Sequence, residues 1–182
     1  MRIKEKKVKL KDNQVCLFRA PNEDDAQSLI DLLKTVCGQT PYLVSEPDEI
    51  QYSVEGERAF INNFNESYYD VMIIFEVEGR IVGNCSIMPA ANKRKERHRC
   101  EFGIAIIKEY WGLSLGREAM EFAMDVARAL GYEQMELAVI ASNERAISLY
   151  KSLGFEEVGN IPYAFKYDDG TYDNDLKFMK RL

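Results

Sequence analysis

The chain has 182 residues, 46% hydrophobic and 30% charged, with a formal net charge of −6. That length is read as one domain, 1–182, large enough to bury a core. The acidic balance argues against nucleic-acid binding, which needs a basic face to neutralise phosphates, and it suits a cationic partner only weakly because many soluble enzymes are acidic.

Val15 to Ala20 reads as a strand ending at Pro21. Asn22-Glu23-Asp24-Asp25 then supplies a capped, acidic helix start, with Ala26, Leu29, Ile30 and Leu33 at helical spacing. Cys37 to Tyr42 is a loop by composition, and Glu46 to Phe64 reads as a second helix with Pro47 in its first turn. Val71 to Val77 and Ile81 to Met88 are apolar and β-branched, joined by a tight hairpin at Glu78-Gly79-Arg80. Lys93 to Arg97 forms a charged loop before a strand from Arg99 to Ile107.

Leu115 to Leu130 is an amphipathic helix with Leu115, Ala119, Phe122, Val126 and Leu130 on one face, and Gly131 is placed to end it. Gln134 to Ile140 is a strand, which makes this unit a parallel βαβ crossover. Asn143 to Leu153 is a helix closed by Gly154. Strands around Phe155 to Phe165 and Leu176 to Arg181 flank the Asp168-Asp169-Gly170 turn. The expected class is α/β (α+β-like), a mixed and mainly antiparallel sheet with flanking helices.

The longest apolar runs, such as Val71 to Phe75, are too short to cross a bilayer, and Met1 to Leu10 lacks the apolar centre of a secretion signal. A cytoplasmic location without a membrane partner is expected. Cys16, Cys37, Cys85 and Cys100 form no CxxC pair and no zinc-type spacing with His98, so buried free thiols and no metal are expected.

Chemistry concentrates in two segments. In the turn Tyr110-Trp111-Gly112-Leu113-Ser114-Leu115-Gly116-Arg117, the glycines let the backbone curl. A helix start then offers unpartnered N–H groups and partial positive charge, and Arg117 adds a cation, a set suited to a diphosphate. Glycines after a strand also make ordinary turns, so spacing alone leaves both readings open. The second segment, Asn143-Glu144-Arg145-Ala146-Ile147-Ser148-Leu149-Tyr150-Lys151-Ser152-Leu153-Gly154-Phe155, carries a tyrosine on its helix. Tyr150 is either a proton donor or a core aromatic, and Asn143 caps the helix or also touches a cofactor.

Glu101 to Phe155 resembles the core of the GCN5-related N-acetyltransferase (GNAT) family. That family carries Q/R-x-x-G-x-G/A where this chain has Trp111 to Gly116, so Trp111 and Ser114 are departures. The run Asn143, Ala146, Leu149-Tyr150 and Leu153-Gly154-Phe155 resembles its closing motif, and the branch containing ribosomal-protein-alanine and spermidine acetyltransferases is the most similar. The resemblance implies a V-shaped splay between the strands near 101–107 and 134–140 that holds acetyl-CoA. Main-chain groups of Ile106 and Ile107 would pair with pantetheine, and amides of Trp111, Gly112, Leu113, Ser114, Leu115, Gly116 and Arg117 would hold the pyrophosphate.

The implied reaction is direct acetyl transfer to a primary amine: a polyamine, a protein N-terminus or another small amine. Tyr150 would be the acid toward the leaving thiolate. Either Glu101 or a water chain would take the amine proton. Tyr42, Glu46, Tyr163, Tyr167, Asp168 and Asp169 would surround the acceptor. A non-catalytic acyl-CoA-binding domain stands as the alternative, and a homodimer is left open.

Overall fold

The computed structural model describes residues 3–182. It begins with a strand that sequence periodicity does not reveal. β1 (Lys6–Lys9) pairs antiparallel with β2 (Val15–Arg19), but only Val8 of its four residues is buried, too short a window for an alternating pattern. Asn22 then caps a 3₁₀ turn over Glu23–Asp25: its Oδ1 accepts from the Asp24 N–H, and the Asp25 carboxylate accepts from the Asn22 N–H. The turn runs into α1 (Ala26–Gln39).

Two helix boundaries differ from expectation. Cys37, Gly38 and Gln39 belong to α1, so the loop starts at Thr40. Cys37 is buried against Ile30 and Ile50, and that packing outweighs the cost of roughly 1 kcal/mol for a helical glycine. The stretch from Glu46 to Phe64 is not one helix either. A 3₁₀ turn covers Pro47–Glu49, the chain breaks while Ile50 plugs into its buried cluster, and α2 (Val54–Glu66) starts afresh. Ser53 drives the restart, its hydroxyl accepting from the Gly56 N–H at 3.0 Å.

The remaining elements are β3 (Val71–Val77), β4 (Arg80–Pro89), β5 (Arg99–Ile106), α3 (Leu115–Ala129), β6 (Gln134–Ile140), α4 (Glu144–Ser152), β7 (Glu156–Lys166) and β8 (Tyr172–Arg181). Glu78 and Gly79, with φ of 51° and 80°, make the tight β3–β4 hairpin. β8 begins before Leu176 because Tyr172 and Asp173 already pair with β7.

The sheet has eight strands in the order β1-β2-β3-β4-β5-β6-β8-β7, and β5 with β6 is its parallel pairing. That pairing covers only Arg99 to Glu101 against Gln134 to Glu136. Beyond it β5 follows β4 and β6 follows β8, so the two strands part in a V. The core sits between sheet and helices: Phe18 and Phe75 stack at 4.8 Å, and Phe18 meets Phe122 of α3 at 5.8 Å. Arg19 clamps Asp25 at 2.7 and 2.9 Å and Glu76 at 2.8 Å, tying β2 and β3 to the start of α1.

Candidate active site

The V opens into a cleft of about 640 Å³, within the range of small-ligand sites. Its walls come from β5, the turn into α3, the first turns of α4 and the end of α1. The strand edge inside it follows from register. The Ile107 N–H donates to the Val82 carbonyl at 3.0 Å, so Ile107 faces β4. Alternate residues of a strand address opposite edges, hence Ile104 and Ile106 turn their main-chain groups toward the V. Ile107 is 2% exposed, its carbonyl accepts from the Tyr110 N–H, and it lies outside the cleft lining. Consecutive strand residues cannot serve the same edge, and the cleft is lined by Ile104 and Ile106.

The turn into α3 is an array of donors. From Gly112 to Arg117 no backbone N–H finds an acceptor among the described residues, and Glu118 makes the first helical bond, to the Ser114 carbonyl at 3.1 Å. Gly112 and Ser114 both have left-handed φ, 83° and 71°, which bends the chain around the mouth of the cleft. The Leu113 carbonyl accepts from the Lys11 N–H at 3.3 Å, so the β1–β2 turn buttresses the loop from behind. A Cβ on Gly116 would meet Leu149 at 3.3 Å, so this turn of α3 lies close against α4.

Trp111 does two things at the lip. Its indole N–H donates to the Ile106 carbonyl at 2.8 Å, and the Arg145 guanidinium lies 5.1 Å from its ring centre. Arg145 is thereby held over the donor array although it sits near a helix N-terminus, where a cation is disfavoured. Arg117 is held by Ser152 at 2.6 Å and Glu121 at 3.7 Å, and Lys11 completes a basic rim. An acidic chain has gathered its cations where unpaired amides converge, an arrangement that fits a diphosphate.

Deeper in the cleft stands Tyr150, 7% exposed, packed against Phe155 and Phe178. Its hydroxyl bonds no group among the described residues, and burial pushes the phenol up to about 12. The side chain is therefore neutral and able to donate a proton at physiological pH. Asn143 caps α4, its Oδ1 accepting from the Ala146 N–H at 3.2 Å, and it also lines the cleft.

Residues 38–155 match the family model described as Acetyltransferase (GNAT) family. The chain belongs to the GNAT family. It is 31% identical over 115 residues to the spermidine N(1)-acetyltransferase of Escherichia coli K12, covering 60% of this chain and 61% of that protein. It is 43% identical over 72 residues to the ribosomal protein bS18-alanine N-acetyltransferase of the same strain, 40% of this chain and 49% of that one. The chain thus spans about three fifths and about half of the lengths of these curated relatives.

Among solved structures, a GNAT-family acetyltransferase of Streptococcus pneumoniae superposes with a TM-score of 0.86 at 26% identity, covering 92% of this chain and 99% of that one. A Salmonella typhimurium structure described with its cofactor acetyl-CoA superposes with a TM-score of 0.79 at 18% identity, over 91% and 92% of the two chains, a likeness of fold.

Within this GNAT frame the cleft brings together Ile106, Trp111, Gly112, Ser114, Leu115, Gly116, Arg117, Asn143 and Tyr150. Leu113 is not in its lining. Glu101 also lies outside it, exposed on the last paired residue before the V. Of the expected acceptor groups only Tyr42 lines the cleft, beside Thr40 and Leu43. The Glu46 N–H donates to the Glu49 carboxylate, Tyr163 is 76% exposed, Tyr167 bonds Asp173 and Asp169 bonds Thr171. None of these lines the cleft, nor does Asp168.

Arg145 and Ile104 are the functional candidates that sequence reasoning passed over. A cation in the first turn of a helix was the available signal for Arg145. The cysteines are free and buried, and burial pushes the thiols of Cys16 and Cys100 up to about 12, which removes the thiolate a nucleophile needs. Among the described residues no helix is long and apolar enough to cross a membrane.

Proposed function

We propose that this chain is an acetyl-CoA-dependent N-acetyltransferase acting on a primary amine. One observation carries the reading: a neutral Tyr150 hydroxyl, free of hydrogen bonds among the described residues, stands in the same cleft as the unpaired amides of Gly112, Ser114, Leu115, Gly116 and Arg117. Acetyl-CoA is the acyl donor, its thioester activated toward an amine. The turn amides with Arg117 and Arg145 hold the pyrophosphate. The Ile104 and Ile106 edge aligns the pantetheine arm, and the N–H of Ile106 stabilises the negative charge that develops on the thioester oxygen.

Tyr150 protonates the departing thiolate, so the leaving group exits as a neutral thiol. The acceptor must first lose its own proton, because an alkylamine is largely an ammonium at neutral pH. Glu101, Gly103 and Ala105 share one sheet face by strand alternation, and Ala105 lines the cleft. Gly103 leaves the path between them free of a side chain. Water along that path relays the proton to Glu101, which lies about 13 Å from Ala105 along the strand.

Thiol release from acetyl-CoA across a panel of primary amines tests the reading. Turnover with at least one amine is expected, and Glu101→Gln should lower kcat/KM about tenfold with a shifted acid limb. An unshifted pH profile would assign the proton to bulk water. Coenzyme A binding without turnover on any amine would make this a binding domain.

A further inference from the structure

A second cavity, about 490 Å³, lies between α1, α2 and the sheet. Leu29, Ile30, Leu33 and Met72 make it apolar. Tyr52 and Phe60 line it although the two residues are 53% and 47% exposed, an unusual state for two large rings on one opening. Glu57 projects among them from α2. This half-buried carboxylate has neither an ion pair nor a side-chain hydrogen bond among the described residues, and burial holds its carboxyl above the ordinary range. A carboxylate drawn into apolar surroundings without a partner costs free energy, which protonation or a bound cation recovers.

We infer that this pocket binds an alkylammonium ion, its charge at Glu57 beside the open rings of Tyr52 and Phe60 and its stem against Leu29, Leu33 and Met72. Each part of the lining matches one part of such a ligand. Aromatic faces attract a cation, a carboxylate accepts its N–H groups, and the aliphatic floor buries methylenes. An anion would be repelled by Glu57, and a neutral hydrocarbon would leave the carboxylate unpaired.

The pocket adjoins the cleft. Asn84 in its wall is the β4 partner of Ala105, which lines the cleft. Leu33 and Val36, three residues apart on α1 and hence neighbours on its surface, line the pocket and the cleft respectively. The alkylammonium therefore comes from one of two sources: the distal end of a diamine acceptor, or a separate effector amine. The choice between them rests on the transferase reading, whereas binding does not.

Calorimetry with 1-aminohexane as probe and 1-hexanol as control tests the site. One equivalent of amine should bind, with the alcohol at least tenfold weaker. Glu57→Gln should lose about tenfold in affinity at an unchanged melting temperature, and Phe60→Ala about threefold. Absence of binding, equal affinity for amine and alcohol, or an unaffected Glu57→Gln protein would overturn the proposal.

Kinetics with 1,6-diaminohexane then separates the sources. Competitive inhibition by 1-aminohexane, with KM raised in Glu57→Gln, identifies the pocket as an acceptor subsite. A change of kcat without competition identifies an effector site. A protein that releases no thiol but still binds 1-aminohexane through Glu57 would refute the transferase and leave the pocket standing.

Discussion

The wall of the cleft from Trp111 to Tyr150 and the cover formed by α1 and α2 lie a strand apart, yet they are built from different materials. The first is mostly backbone: unpaired amides, a strand edge and two left-handed residues, with one phenol added. The second is mostly side chain: a carboxylate, exposed rings and an aliphatic floor. Backbone geometry admits few sequences, so it suits a ligand shared by a whole family. Side chains vary freely within a fixed fold, so the α1–α2 cover can differ between chains that share the backbone wall. Substitutions on the first wall should therefore alter turnover or cofactor affinity, and those on the second should alter amine recognition or stability.

The sharpest division is expected at Tyr150. Tyr150→Phe removes the only proton donor the phenol offers while keeping its packing on Phe155 and Phe178. Turnover should fall about 100-fold or more, with the dissociation constant of coenzyme A within about twofold of wild type by calorimetry. Equal losses in both would mean that the ring is a wall of the cleft and not its acid.

On the other side the strongest test concerns stability. Asp25 anchors the start of α1 through Arg19, and its side chain is only 11% exposed. Burial opposes its charge, but the Arg19 guanidinium and the Asn22 N–H outweigh that and hold the carboxyl below the usual range. Its stabilising contribution is therefore complete above the unfolded value of about 4 and is lost as pH falls through the lower native value. Asp25→Asn should cost about 2 kcal/mol at neutral pH, and its urea midpoint should fall less steeply than wild type below about pH 4. Coenzyme A affinity of the folded variant should not change; a large change would show that the two regions are coupled.

A smaller effect is expected at Arg145, which rests on Trp111 and has no ion pair among the described residues. Where relatives of the GNAT family usually place Gln or Arg at the start of the turn, this chain has Trp111, and the cation arrives from α4 instead. Arg145→Ala should raise the KM for acetyl-CoA about fivefold with kcat nearly unchanged. Fluorescence of Trp111, the sole tryptophan, reports the loss of the overlying cation directly.

The same contrast explains what was legible in the sequence. Strands β3 to β6, helices α3 and α4 and the turn between β5 and α3 follow from local signals: alternation, a cap at Asn143, glycines at positions that end helices. The break at Ile50 to Ser53 and the helical state of Cys37 to Gln39 depend on a three-residue cluster of Ile30, Cys37 and Ile50, a tertiary fact that no local window contains. Ile107 lies outside the cleft lining: a motif fixes position along a strand but not which edge a residue addresses. Bonds to Val82 and Tyr110 decide that. Nothing in the spacing of Tyr52, Glu57 and Phe60 says that a cavity lies beneath them.

The smallest expected effect, at Ser114, asks whether the backbone wall is specified by residue type or by conformation. The family places a glycine here, and Ser114 adopts the conformation that a glycine would, φ 71° and ψ −1°. A side chain in that region costs roughly 1–2 kcal/mol, whereas glycine adopts it freely but loses more entropy on folding. Ser114→Gly should therefore stabilise the protein by only about 0.5 kcal/mol, seen as a higher urea midpoint at unchanged slope. Coenzyme A affinity should stay within about twofold, because the amides of Gly112 to Arg117 already stand where a glycine would put them. A marked gain in affinity instead would mean that the serine distorts the cradle, and that this departure from the family pattern weakens cofactor binding in the native chain.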